Sequence, residues 1–253
     1  MATQKTALVT GAGSGIGKAI ATDLAHKGHK VLVTDLNPAA AESVAAALRQ
    51  EGYTAEGRKL DVSLQEDIDA LVDEVEVDIL INNAGLQHVA KLEAFPVDKW
   101  RLLNEVLLVG PAMLTRGLLP QMKSHGFGRI VNIGSIHALV ASPYKSAYVA
   151  AKHGLLGFAK VVALETAEFD ITINTICPSY VKTPLVENQI RQQAQEHGIS
   201  EADVINNIML EPMPKKAFIE MAELSASVNF LISDAARNMT GQTLVLDGGW
   251  TIR

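Results

Sequence analysis

Ala7-Leu8-Val9-Thr10-Gly11-Ala12-Gly13-Ser14-Gly15-Ile16-Gly17 is the stretch that decides the fold. A short apolar run ends at Val9, glycines then alternate with other residues, and helical spacing follows from Gly15 to about Lys27. A strand that passes into a helix through glycines lets its backbone come close to a phosphate, with the first helical N–H groups facing it. A glycine-rich turn by itself is also an ordinary tight turn. The strand before it and the helix after it are what give it meaning. Gly11, Ser14, Gly15, Ile16 and Gly17 are therefore the expected phosphate contacts of a bound dinucleotide.

Reading outward, short β-branched runs alternate with helical stretches. Val31-Leu32-Val33 is the second strand, and an alanine-rich helix fills about Pro38 to Glu51. Asp78–Ile81, Arg129–Ile133, Thr172–Ile176 and Thr243–Leu246 read as further strands. Long helices are expected over Asp98–Ser124, with a bend at Pro111, and over Ser146–Ala167. Apolar strands that alternate with helices make a parallel sheet covered on both faces. The expectation is an α/β fold: a single-domain, Rossmann-like doubly wound sheet spanning 1–253. No repeat or Gly/Ser linker marks a boundary. One stretch breaks the rhythm. Pro184 to Phe218 is polar and helical, with prolines at 212 and 214, and is expected to lie outside the sheet as a substrate lid.

Composition sets the outer limits. The chain has 253 residues, 48% of them hydrophobic, and a formal net charge of -6. That length buries a core without metal or disulfide support. The one cysteine, Cys177, allows no internal disulfide and no multi-cysteine metal site, which suits a cytoplasmic protein. The acidic balance argues against nucleic acid or an anionic membrane as partner. No signal peptide is legible, and no uninterrupted apolar run approaches a spanning helix. An anionic substrate remains open, provided its cations are local.

Residues at strand ends carry the chemistry. Asp35 closes the second strand, 20 residues after Gly15. A carboxylate there accepts both ribose hydroxyls of adenosine and repels a 2′-phosphate, so the expected cofactor is NAD. It can equally cap the next helix. Asp61-Val62 follows the third strand, where it can hold adenine or start a helix. Asn82-Asn83-Ala84-Gly85 follows the fourth, at the end of the sheet that lines a ligand crevice. Tyr148 and Lys152 stand at i, i+4 on one helix face. A phenol is a poor base at neutral pH, and a nearby ammonium is expected to lower its pKa. Ser135, just past a strand end, can bind the reacting oxygen.

Taken in order, the Thr10–Gly17 turn, Asp35, Asn83-Ala84-Gly85, Ser135, Tyr148 with Lys152, and the closing Asp247-Gly248-Gly249 resemble the short-chain dehydrogenase/reductase family over essentially the whole chain. The resemblance implies hydride transfer with Ser135, Tyr148 and Lys152 as the catalytic group. It implies cofactor contacts from Asn83, Tyr148, Lys152, Pro178, Val181 and Thr183 besides those above. It also implies a homotetramer built through the long helices and the last strand. The segments Asn83–Ala90, Ser135–His137, Lys145–Gly154, Val162–Ala167 and Thr183–Val186 are most similar to the branch that interconverts D-3-hydroxybutyrate and acetoacetate. By that resemblance Gln87, His137, Lys145 and Gln189 bind the substrate carboxylate. Tyr180 occupies a place usually held by tryptophan over a small methyl pocket.

Three departures stand out. The family's asparagine on the helix before the serine strand is here Leu107, which has no donor or acceptor to hold a water chain. The usual Pro-Gly after the sixth strand is Pro178-Ser179, which is expected to strain its turn. The link from Leu71 to Asp78 is short, so its helix must end early. Two rival readings stay open: another small 3-hydroxy or 3-oxo substrate, or a dinucleotide-binding scaffold of low activity.

Overall fold

A computed structural model describes residues 4–252. Its core is a seven-stranded sheet made of β1 (Thr6–Val9), β2 (Lys30–Asp35), β3 (Ala55–Lys59), β4 (Ile79–Asn82), β5 (Gly128–Ile133), β6 (Ile171–Pro178) and β7 (Thr243–Leu246). The spatial order is β3-β2-β1-β4-β5-β6-β7, and every pair is parallel. Parallel strands need crossovers, and the helices supply them. α1 (Gly15–His26), α2 (Pro38–Gln50) and α9 (Met221–Ile232) cover one face. α3 (Gln65–Glu74), α4 (Val97–Asn104), α5 (Gly110–His125) and α6 (Ser146–Glu165) cover the other. α7 (Pro184–His197) and α8 (Glu201–Val204) stand apart, in the stretch out of rhythm.

Burial on both faces explains why the strands carry no alternation: β5 and β6 are buried at every position. Alternate residues of one strand feed opposite cores. Val131 and Ile133 meet Ile20, Leu24 and Val228, whereas Ile130 packs with Leu114, Leu118 and Val162. The order in which strands are added reverses between β1 and β4, and the crevice at that switch point is where ligands bind in such sheets.

α4 and α5 form one continuous helical rod, interrupted by a π-helical turn at Glu105–Val109. Where a bend at Pro111 is expected from the sequence, the rod carries this π-helical turn just before it. Pro111 has no N–H, so the carbonyl of Leu107, its i−4 partner, receives no helical bond from it. This rod and α6 are long and apolar enough, by length and composition, to cross a bilayer. Here each lays one face on the sheet, with Leu114, Leu118, Ala159 and Val162 in the core. The early end of α3 at Glu74 follows from the short link to β4.

The segment outside the sheet is pinned at its base. A bridge joins Val181 to Ile219, and the Ile219 N–H donates to the Tyr180 carbonyl at 2.9 Å.

Candidate active site

A cleft of about 730 Å³ opens at the carboxyl ends of β1, β4, β5 and β6, and nearly all the expected residues line it. At its floor lies the glycine turn. Gly11 has φ +61°, and a Cβ there would fall 2.8 Å from the Ala84 Cα. A Cβ at Gly17 would fall 2.4 Å from the Gly11 carbonyl oxygen. Backbone therefore occupies the space side chains would need. Ser14 is the N-cap of α1, yet its side chain makes no capping bond, which leaves the first turn of the helix facing the cleft with Gly15 and Ile16. These open N–H groups and the positive end of the helix suit a pyrophosphate.

Asp35 is held from two sides: its carboxylate accepts the Gly13 N–H and the Asn37 N–H, each at 3.0 Å. The cap of α2 is Asn37, not Asp35, so the aspartate is not taken up by the helix. Asp61 has a more local duty. Its carboxylate accepts the backbone N–H of Ser63 at 2.9 Å and the Ser63 hydroxyl at 2.6 Å, which shapes the loop into α3 while Asp61 and Val62 line the cleft. Asn83 braces the turn. Its amide donates to the Thr10 and Gly11 carbonyls at 2.9 and 3.1 Å, while the Thr10 hydroxyl accepts the Asn83 and Ala84 N–H groups. Thr10 thus laces two strand ends together. The sequence reading quoted it only as part of the motif.

Ser135, Tyr148 and Lys152 come together at the centre. Ser135 is buried and extended (φ -167°), and its Oγ accepts the His137 N–H at 3.1 Å. Its own proton stays available. Tyr148 sits in the first turn of α6, partly open to the cleft. Lys152, one turn on, is buried and donates to the Ile133 carbonyl at 2.7 Å. The expected electrostatics do not hold in this state. Burial pushes the Tyr148 hydroxyl up, although the Ser135 hydroxyl beside it pulls the other way. Burial also lowers Lys152 to about 8. Desolvation penalises both charged forms, and the ammonium is turned to a carbonyl rather than to the phenol. Leu107 lies beneath, 1% exposed, packed with Phe95, Leu103, Ala147 and Ala151.

The other wall holds a cation. Lys145 Nζ lies 3.2 Å from His137 Nε2. Burial, and then the Lys145 charge, lower His137 to about 4, so its ring is neutral and accepts from the ammonium. Burial lowers Lys145 as well. Gln87, Tyr180, Gln189, Pro178, Val181 and Thr183 complete the lining. The Thr183 hydroxyl caps α7 through the Val186 N–H at 3.2 Å. Ser179 has no positive φ: its N–H donates to the Leu246 carbonyl at 2.8 Å, so the expected strain is absent.

Trp250 is an addition from the structure. Its ring stands edge-on to His137 at 5.9 Å and tilted against Tyr180 at 6.1 Å. Asp247 puts it there, by accepting the Gly249 and Thr251 N–H groups at 2.8 Å. The Asp247-Gly248-Gly249 signal was visible in the sequence; that its turn delivers a tryptophan to the site was not. Among the described residues no cluster of side chains could hold a metal ion.

Comparison with known proteins gives the same answer as the geometry. The family profile described as short chain dehydrogenase matches residues 5–194. D-beta-hydroxybutyrate dehydrogenase of Rhizobium meliloti (strain 1021) is 44% identical, over 98% of both chains. The enzyme of that name from Cupriavidus necator is 43% identical over 97% of both. Among solved structures, a variant of actinorhodin polyketide ketoreductase with NADPH superimposes with a TM-score of 0.92, at 33% identity, covering 99% of both chains. The chain belongs to the short-chain dehydrogenase/reductase family, oxidoreductases that bind a nicotinamide dinucleotide.

Proposed function

We propose that this oxidoreductase interconverts D-3-hydroxybutyrate and acetoacetate with NAD. The observation that carries the reading is the Lys145–His137 pair. Among the described residues no carboxylate pairs with this part-buried ammonium, and its neighbour is a neutral imidazole. A desolvated cation without a counter-charge is costly, and a substrate carboxylate supplies one. The matched enzymes named for hydroxybutyrate support the same substrate.

The glycine turn, Asp35, Asp61 and Val62 would hold the dinucleotide, and the uncapped first turn of α1 at Ser14, Gly15 and Ile16 suits its pyrophosphate. When bound, the nicotinamide ring of that dinucleotide would accept or return the hydride. The chain's residues manage the oxygen and its proton. Lys145, His137, Gln87 and Gln189 fix the carboxylate, which places the C3 oxygen between Ser135 and Tyr148. Ser135 donates to the oxygen as charge develops on it. Tyr148, kept protonated by burial, is ready to give its proton to a ketone oxygen in reduction. In oxidation it takes the hydroxyl proton, once it has lost its own. Lys152, near 8, stands next to it as a proton store.

NAD over NADP rests on Asp35, whose carboxylate two backbone N–H groups hold at the cleft. The exposed apolar residues of the long helices, Val109 on the rod and Val161 and Leu164 on α6, support assembly as a homotetramer. The single buried thiol, Cys177, supports a cytoplasmic setting. The test is turnover of D-3-hydroxybutyrate with each cofactor. Efficiency with NAD should exceed that with NADP by at least about tenfold, or about 1.4 kcal/mol. Equal efficiency removes the cofactor assignment, and no turnover removes the substrate.

A further inference from the structure

Tyr180 brings a phenol hydroxyl to the cleft. Its backbone is fixed, because its carbonyl accepts the Ile219 N–H. Its ring is gripped on several sides. It packs against the small cluster of Ile190, Val204 and Met209 in the outlying segment, against the edge of one main core, and beside Trp250. Yet its hydroxyl makes no hydrogen bond with any described residue, and it lines the cleft. Tyr148 lines the same cleft.

The rest of the polar lining already has a partner in the proposed chemistry. Lys145 and His137 take the carboxylate, and Ser135 and Tyr148 take the oxygen on the reacting carbon. A four-carbon 3-hydroxy acid ends in a methyl group and leaves Tyr180 nothing to bond. Polar groups aimed into a pocket fix orientation and specificity, and one without a protein partner calls for a ligand partner.

We propose that the Tyr180 hydroxyl recognises a second oxygen beyond the reacting carbon, so that the preferred substrate is a 3,4-dihydroxy acid. The inference rests on the proposed 3-hydroxy acid activity and narrows its substrate class. The reaction is unchanged in balance: the C3 hydrogen leaves as hydride to the oxidised nicotinamide, the C3 hydroxyl proton passes to Tyr148, and a 4-hydroxy-3-oxo acid forms. The C4 hydroxyl is bonded but not oxidised.

The experiment compares kcat/KM for 3,4-dihydroxybutyrate and 3-hydroxybutyrate on the same enzyme with NAD. The wild type should prefer the diol by about fivefold to tenfold, the worth of one neutral hydrogen bond. In Tyr180→Phe the ratio between the two acids should fall to about one, whatever happens to either rate. Because the ratio is internal, a general loss of activity does not imitate the effect. Turnover of 3-hydroxybutyrate without a preference for the diol overturns this inference alone, as does a preference that survives in Tyr180→Phe. Turnover of neither acid overturns the underlying substrate reading as well.

Discussion

Replacing Leu107 by asparagine sets packing against chemistry at one position. Leu107 is 1% exposed and sits among Phe95, Leu103, Ala147 and Ala151. Asparagine branches at the same atom, so the change leaves no large cavity; its cost is polarity. Losing the buried leucine gives up about 1.5–3 kcal/mol, and an amide without partners costs about 1–3 kcal/mol more. A combined cost of about 2.5–6 kcal/mol lowers Tm by roughly 5–24 °C in a domain of this size. The gain is a donor and acceptor on the π-helical turn, next to the carbonyl of residue 107, to which Pro111 has no N–H to give. With that carbonyl it can seat a water near Lys152 and ease proton resupply. Support of this kind lies at or below the low end of general acid–base effects, so kcat should rise by up to roughly tenfold, or about 1.4 kcal/mol. The assay is steady-state kcat for 3-hydroxybutyrate oxidation in wild type and Leu107→Asn, with Tm measured in parallel. A variant that stays folded while kcat is unchanged or lower refutes the reasoning: the apolar floor would then not be what limits the rate.

Three further outcomes follow from the site. Lys145→Met should raise the KM for 3-hydroxybutyrate by about ten- to a hundredfold, the range of a charge-assisted bond, and leave NAD affinity nearly unchanged; steady-state kinetics and a cofactor titration check it. Gly11→Ala should lose stability, because alanine at φ +61° costs about 1–2 kcal/mol before its Cβ meets Ala84, and should weaken NAD binding, as thermal melts with and without cofactor would reveal. His137, lowered from 6.5 to about 4, stays neutral in the fold while an unfolded chain takes up a proton; its contribution is full above about pH 6.5 and is lost as pH falls toward 4. Wild type should therefore lose more Tm between pH 7 and pH 5 than His137→Gln does.

The strand-to-helix turn at Gly11–Gly17 and the apolar strands were legible because each obeys a local rule: close backbone approach in one case, burial on both faces in the other. Tyr148 and Lys152 were legible as a pair through helical spacing. What the sequence did not carry was direction. The i, i+4 rule puts both side chains on one face, but it does not say that the Lys152 ammonium turns to the Ile133 carbonyl, or that burial outweighs the Ser135 hydrogen bond at Tyr148. Ser179 looked strained only because glycine is usual there; a non-glycine φ removes the problem. Trp250 stayed hidden because its neighbours in space, His137 and Tyr180, are remote in the chain. The π-helical turn around Leu107 has no sequence period of its own, and a helical pattern runs straight through it.

The bridge between Val181 and Ile219 has a consequence for how such a protein changes over generations. Chain leaves after β6 and returns before α9 at one clasp, so the length between the two ends is largely free. Doubling a loop closed at fixed ends costs only about 0.6 kcal/mol in closure entropy. Residues between the clasped ends act as a cassette: they can lengthen, shorten or be exchanged for another specificity while strand register, cofactor floor and Tyr148–Lys152 spacing stay untouched.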